Sequence, residues 1–353
     1  MAVAFPSSYV VTGGLGWCGK RLVRLLTGGI DCPALASMPR PAHVRCAVLP
    51  GQNLSELQSL GPAVECIECD VRSDADCRRL VSGMMGATLI HTAGVIHPER
   101  VAEFFAINRD GTRRIVEAAA DARLRRAVVI SSNSPIGCNP HSNHVFDETS
   151  PYNPYMGYGR SKMEMERELA VIDHSGIIEV VVVRPPWFYG PDQPTRQTVF
   201  FRMIKEGKAP IVGNGTNRRS MVYIDNLTQG LVLAAASDRA AGQTYWIADA
   251  RAYTMNEIID TIERIMERDF AMTVSHKRMW LPNLTSTVAR SVDALLQAVG
   301  LYHQKIHVLS ELNQTIACDI GKARRELGYE PTISLDDGMR RSIQDLLDRG
   351  VPL

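Results

Sequence analysis

Long apolar runs are missing from this sequence, and so is an excess of either charge. No stretch reaches the roughly 18 consecutive apolar residues of a membrane-crossing helix, so no spanning segment is expected. Lysine and arginine number 39 against 38 acidic residues, for a net charge of +1. That balance leaves no global field to gather nucleic acid or an anionic membrane. The clustered Arg123, Arg125 and Arg126 stand among acidic neighbours and read as a solvated helix face. Met1 to Phe5 is apolar but has no basic flank and runs straight into a strand. It does not read as a signal peptide, and a cytoplasmic protein is expected. The eight cysteines are scattered, and only Cys66 and Cys69 form a C-x-x-C. They lie in a strand pattern, where residues three apart face opposite sides, so no metal site is expected.

What is present is an alternation of strands and helices. Apolar strands are expected at Tyr9–Thr12, Val44–Leu49, Val64–Cys69, Ala87–His91, Ala127–Ser131 and Val180–Arg184, the last with four consecutive valines. Helices are expected at Trp17–Leu26, Ala75–Ser82, Phe104–Ala122 and Gly159–Ile172. Unbroken apolar strands of this kind suit a parallel sheet covered on both faces. The fold class is therefore α/β, a doubly wound parallel sheet of the Rossmann kind with a smaller, interleaved C-terminal substrate lobe. Residues 1–185 form the dinucleotide-binding part, with 222–250 returning to it through strands at Val222–Ile224 and Tyr245–Ile247. Residues 186–221 and 251–353 form the lobe, where proline and glycine become frequent and helices are expected at Thr254–Arg268 and Asp319–Leu327.

Gly13, Gly16 and Gly19 stand between the first strand and the first helix. The first permits a tight turn, the second lets the backbone approach a pyrophosphate, and the third allows close helix–strand packing. The helix N-terminus then offers N–H groups and a favourable dipole to phosphate. Asp70, ending the third strand, can accept from an adenine amino group or can serve as a turn residue. The second strand ends in Leu49-Pro-Gly51, with no arginine for a 2′-phosphate. NAD is the expected cofactor, with NADP left open through Arg45 or Lys20.

Tyr158 and Lys162 stand four apart, on one face of a helix. A phenol ionises near pH 10, and a neighbouring ammonium lowers that value. Ser132 lies at the carboxyl edge of the fifth strand, where ligands bind in this fold. It can hold a substrate oxygen against Tyr158.

With these residues in view, the chain resembles the extended short-chain dehydrogenase/reductase family, epimerase/dehydratase type. The likeness runs through Thr12-Gly-Gly-Leu-Gly-Trp-Cys-Gly19, Asp70, His91-Thr-Ala-Gly94, Asn108-Arg-Asp-Gly-Thr112, Ser132 and Tyr158/Lys162. It continues in Arg184-Pro-Pro-Trp-Phe-Tyr-Gly-Pro191, Arg218–Asp225 and Leu327–Pro331. The resemblance implies cofactor contacts from Gly13, Leu15, Gly16, Trp17, Gly19, Asp70, Val71, Thr92, Ala93, Gly94 and Pro185, with Tyr158 and Lys162. It implies a catalytic set of Ser132, Tyr158 and Lys162, with Asn108 orienting the central helix and a water network.

For the substrate, Gly213–Arg219 resembles the loop that carries a phosphate-contacting arginine in nucleotide-sugar members, with Arg219 at the matching position. Trp187 stands where those members often have asparagine, and Ser220-Met221 where they have Asp-Phe. Trp187 is either a substrate contact or core. The leading expectation is an epimerase or oxidoreductase acting on a nucleotide-linked sugar. Dehydration is disfavoured because Asn133, not an acid, follows Ser132. The alternative is a ketoreductase or alcohol dehydrogenase for an apolar, sterol- or dihydroflavonol-type substrate. A dinucleotide-binding scaffold without activity is the third reading. Thr285–Gly300 reads as an amphipathic helix that could cap the substrate cleft or touch a membrane surface, but with few charges and no lysine-rich face its apolar side is expected in the core. The resemblance also implies a homodimer through the helices near Asn108 and Tyr158.

Overall fold

The computed structural model describes residues 4–353, so the first three residues of the apolar start lie outside the described residues. Six strands follow the expected order: β1 (Ser8–Thr12), β2 (His43–Val48), β3 (Val64–Glu68), β4 (Thr88–His91), β5 (Arg126–Ile130) and β6 (Glu179–Arg184). With Thr244–Trp246 they build a parallel seven-stranded sheet. From one edge the order runs Thr244–Trp246, β6, β5, β4, β1, β2, β3. The chain reverses direction across the sheet between β1 and β4, and the carboxyl ends of those strands open the crevice where this fold takes ligands.

The valines of β6 explain its place. Val180 to Val183 are all buried, and side chains alternate between two apolar clusters on the two faces of the sheet. Each such valine stabilises the fold by about 1.5–3 kcal/mol. Cys66 packs on one face and Cys69 on the other, as alternation requires. Among the described residues no cluster of metal-ligating side chains occurs.

Four expectations need correction. Val222–Ile224 does not return to the main sheet: Met221–Tyr223 pairs with Trp187–Tyr189 in a small parallel ribbon. Ile224 instead opens a helix, Ile224–Ala236, in which every residue but Asp225 is buried. That helix and Thr244–Trp246 make the return. Next, Phe104–Ala122 is not a uniform helix. Phe104–Gly111 winds as a π-helix before Thr112–Asp121 continues as α. Third, Arg126 is no surface residue. It opens β5 wholly buried, donating to the carbonyls of Ala234, Ala235 and Ser237 and to Glu179.

Finally, the helix Asn283–Ala298 turns its apolar stripe outward. Its buried residues are Ser286, Ala289 and Asp293, whereas Val288, Val292 and Leu295 are exposed, as is Val299 just beyond its end. The inner face is polar because Asp293 is matched there by His307 on the neighbouring helix Gln304–Glu311.

Candidate active site

The glycine loop is dictated by space. Gly13 has φ +67°, and a Cβ there would lie 3.0 Å from the Ala93 nitrogen. A Cβ on Gly19 would fall 2.0 Å from the Gly13 carbonyl oxygen. Gly16 is exposed and begins α1 (Trp17–Leu26), which has no side-chain cap and no acid in its first turn. Its first N–H groups are thus left to an outside acceptor, and the loop fits a pyrophosphate. Trp17 spends its indole on the Pro191 carbonyl at 2.6 Å and on the Phe188 ring, leaving its backbone for the ligand.

At the ribose end, both groups that left NADP open are engaged. Arg45 holds Glu65 and the carbonyls of Leu80 and Ser82, and Lys20 holds Glu56. Glu68, overlooked in the sequence because it ends β3 and not β2, accepts from the Gly51 N–H at 3.2 Å. A carboxylate therefore does stand beside the end of β2. Asp70 gives both oxygens to Arg72, and Val71 packs on Gly111.

A buried polar chain ties this loop to the reaction end. Thr12 donates to His91 Nδ1 at 2.7 Å, and His91 Nε2 meets Thr112 Oγ1 at 2.9 Å. Thr112 in turn donates to the Asn108 carbonyl at 2.7 Å. Because that hydroxyl spends its proton there, His91 must donate from Nε2 and accept at Nδ1. Burial and the Lys162 charge hold His91 down to about 3, so it stays neutral. Asn108, within the π-helix, grips Val95 by two 2.8 Å hydrogen bonds, to its N–H and its carbonyl. Asn108 thus orients the Thr92–Val95 wall.

Tyr158 sits on the helix Met156–His174. Two local features aim it. Met156 has φ +53°, a turn that costs a non-glycine residue about 1–2 kcal/mol. Gly159 lets the helix press on the end of β5, since a Cβ there would lie 2.5 Å from the Ser134 carbonyl oxygen. Burial pushes the Tyr158 phenol up to about 12, and a hydrogen bond with Ser132 pulls against that rise. Lys162 differs from expectation. Its ammonium donates to the Ile130 carbonyl at 2.9 Å and is not among the groups that shift the phenol, whereas Ser132 is. Burial lowers Lys162 to about 8 against the opposing charge of Glu166. Glu166 is itself held by Arg184, Tyr152 and Ser131.

Thr92, Ala93, Gly94, Ser132, Tyr158, Lys162, Pro185, Trp187 and Arg219 all line one cavity of about 380 Å³. Gly13 adjoins its wall through Thr92 and Ala93, while Leu15, Gly16, Trp17, Gly19, Asp70 and Val71 lie outside its lining. Much of the wall was not foreseen: Ile96, Arg196, Phe200, His307, Glu311, Leu312 and Ile316 come from loops and helices with no motif of their own. Trp187 packs against Phe200 with ring centroids 5.6 Å apart. Arg219 donates to the Glu311 carbonyl, while Arg218 is occupied by the carbonyls of Ser142 and His144. Arg196 has no carboxylate within 4.0 Å among the described residues.

Comparison with known proteins bears on the family and the fold. The model of the NAD dependent epimerase/dehydratase family matches residues 9–248. The uncharacterized protein y4nL of Sinorhizobium fredii is 52% identical over 343 residues, covering 97% of this chain and 95% of that protein. The 3beta-hydroxysteroid-dehydrogenase/decarboxylase isoform 1 of Arabidopsis thaliana is 25% identical, covering 95% and 78%. The crystal structure of UDP-glucuronic acid 4-epimerase from Bacillus cereus in complex with NAD superposes with a TM-score of 0.73 at 21% identity, over 98% of this chain and 100% of that one. By its match over residues 9–248, the chain belongs to the NAD-dependent epimerase/dehydratase family, of the extended short-chain dehydrogenase/reductase type.

Proposed function

We propose that the protein is an NAD-dependent oxidoreductase that interconverts a secondary hydroxyl and a ketone on a largely apolar substrate. The observation that carries this reading is the wall facing Tyr158 and Ser132. Ile96, Trp187, Phe200, Met255, Leu312 and Ile316 make it predominantly apolar. The Trp187 ring, backed by Phe200, stands at the position where nucleotide-sugar members often carry asparagine. Mostly apolar lining with a few convergent polar groups is the usual make-up of a small-molecule site.

The glycine loop and α1 would hold the dinucleotide, which supplies hydride uptake and return when bound. Ser132 orients the substrate oxygen by hydrogen bonding. Tyr158, protonated at its raised value, donates its proton to the carbonyl oxygen during reduction, and during oxidation its phenolate would take the hydroxyl proton. Lys162 steadies the end of β5 through the Ile130 carbonyl and lies beside Gly94, where it can reach a ribose hydroxyl. Pro185, Pro186 and Ile96 exclude water from the reacting carbon.

A second reading, epimerisation of a nucleotide-linked sugar, is favoured by two guanidinium groups in the same wall. Arg219 has a buried Nε without a partner, and Arg196 has no carboxylate beside it. One experiment separates the two. The purified protein is mixed with NAD and panels of sterol-type alcohols and nucleotide sugars, and the absorbance of reduced nicotinamide is followed. A net rise with apolar alcohols supports the first reading. Conversion of a nucleotide sugar with no net rise overturns it in favour of the second.

A further inference from the structure

The helix Asn283–Ala298 is amphipathic in the inverse sense. Its interior side carries Ser286 and Asp293, and its outer side carries Leu284, Val288, Val292 and Leu295. Leu284 and Leu295 are 67% and 71% exposed, and Val299 just beyond the helix is 72% exposed. A water-facing helix normally has the opposite arrangement. Met279 and Trp280 precede this stripe and Leu301 follows it, all exposed. With these residues at its two ends the stripe makes an exposed apolar platform, of the kind that marks an interaction surface.

The charges around the platform say what it meets. Between residues 271 and 310 the sequence holds a single acid, Asp293, and it is wholly buried. Lys277, Arg290 and Lys305 are exposed in the same stretch. Arg278 is neutralised by Glu263 and Asp260. Exposed Glu99 and Arg100, against Leu301 and Tyr302, add one charge of each sign, so the three cations of the stretch remain in excess in a chain that is nearly neutral as a whole. A second copy would bring equally cationic surroundings against it. An anionic bilayer instead offers both an apolar layer and opposite charge. Trp280 at the edge has the amphipathic ring that favours the headgroup level. At 16 residues the helix is too short to cross, and no helix of the described residues is long and apolar enough to do so.

We propose that the platform Met279–Leu301 docks the protein on the surface of an anionic lipid bilayer, with the helix lying in the plane of the headgroups. Val308, on the next helix, is also exposed and lines the reaction cavity. This inference does not depend on which substrate the cavity takes.

The test is flotation of the full chain with vesicles of roughly equimolar phosphatidylcholine and phosphatidylglycerol, and with phosphatidylcholine alone. The wild type is expected to rise with the mixed vesicles and much less with the neutral ones. Val288→Asp/Leu295→Asp should lower the bound fraction at least about tenfold while dinucleotide binding and the thermal transition persist. Lys277→Glu/Lys305→Glu, on exposed side chains, should weaken binding to the mixed vesicles and leave binding to the neutral ones unchanged. Wild-type protein that stays in the aqueous fraction with the mixed vesicles overturns the proposal. So does a light-scattering dimer that Val288→Asp/Leu295→Asp dissociates while vesicle binding is unaltered.

Discussion

The Asp293 carboxylate receives a hydrogen bond from His307 Nδ1 at 2.7 Å, with both side chains closed off from solvent beside the turn that carries Tyr158. The same carboxylate accepts from Gln297 Nε2 at 2.9 Å, and Gln297 Oε1 accepts the Gly157 N–H, also at 2.9 Å. The outer helix pair is thereby fastened to the start of the tyrosine helix by a relay of polar groups.

That fastening should depend on pH. Burial lowers the His307 imidazole, but the Asp293 hydrogen bond and the nearby Glu311 and Asp293 charges outweigh it and raise the group above the ordinary histidine value. Its protonated form therefore stabilises the fold fully below the unfolded value of about 6.5, and this contribution is lost as pH climbs through the raised folded value. Asp293→Asn should cost about 1–3 kcal/mol. It should also flatten the loss of stability on the alkaline side. Urea unfolding across a pH series reads both effects.

Tyr158→Phe should lower kcat by about 10²–10⁴, the usual share of a general acid–base group, with little change in dinucleotide affinity. Steady-state kinetics beside calorimetric titration with NAD measure the two. Full activity in the variant would remove Tyr158 from the chemistry.

Gly19→Ala should abolish dinucleotide binding and cost about 1–3 kcal/mol of stability, because its Cβ would run into the Gly13 carbonyl. Gly16→Ala meets only that oxygen, at 3.1 Å, and should weaken binding while leaving the melting temperature nearly unchanged. Thermal melts with and without NAD distinguish the two positions.

Glu68 places negative charge at the end of β2 through Gly51, so NAD should bind more tightly than NADP. Glu68→Gln should narrow that preference by about two- to fivefold, the size of one exposed charge. Competitive titration of the two dinucleotides gives the ratio before and after.

Trp187→Asn removes apolar contact worth about 1.5–3 kcal/mol from the wall facing Tyr158. For an apolar alcohol KM should rise while NAD affinity holds. Improved turnover of a nucleotide sugar by this variant would show that the ring guards the choice of substrate.

The parts of this architecture that were legible in the sequence are those where geometry admits few residue types. Gly13 and Gly19 stand where a side chain would collide with backbone, and the Val180–Val183 run tolerates no water on either face. Tyr158 and Lys162 share a helix face by spacing, although Lys162 proved to hold a strand carbonyl. Other parts had no periodic signal. Ile224–Ala236 is surrounded by protein and shows no polar side to mark it as a helix. Asn283–Ala298 does show a stripe, but a stripe records amphipathicity and not which side faces in. His307, Glu311 and Leu312 reach the cavity through tertiary packing that no local pattern encodes.

Phe104–Gly111 coils more widely than the helix that follows it. An α-helix advances about 100° per residue, so removing a single residue from this stretch would swing the Asn108 amide a quarter-turn or more away from Val95. The Thr92–Val95 wall would then lose its brace although every chemical group remained in the chain. The register of this segment, together with the amide it presents, thus holds in place the flank of the cavity that Tyr158 also lines.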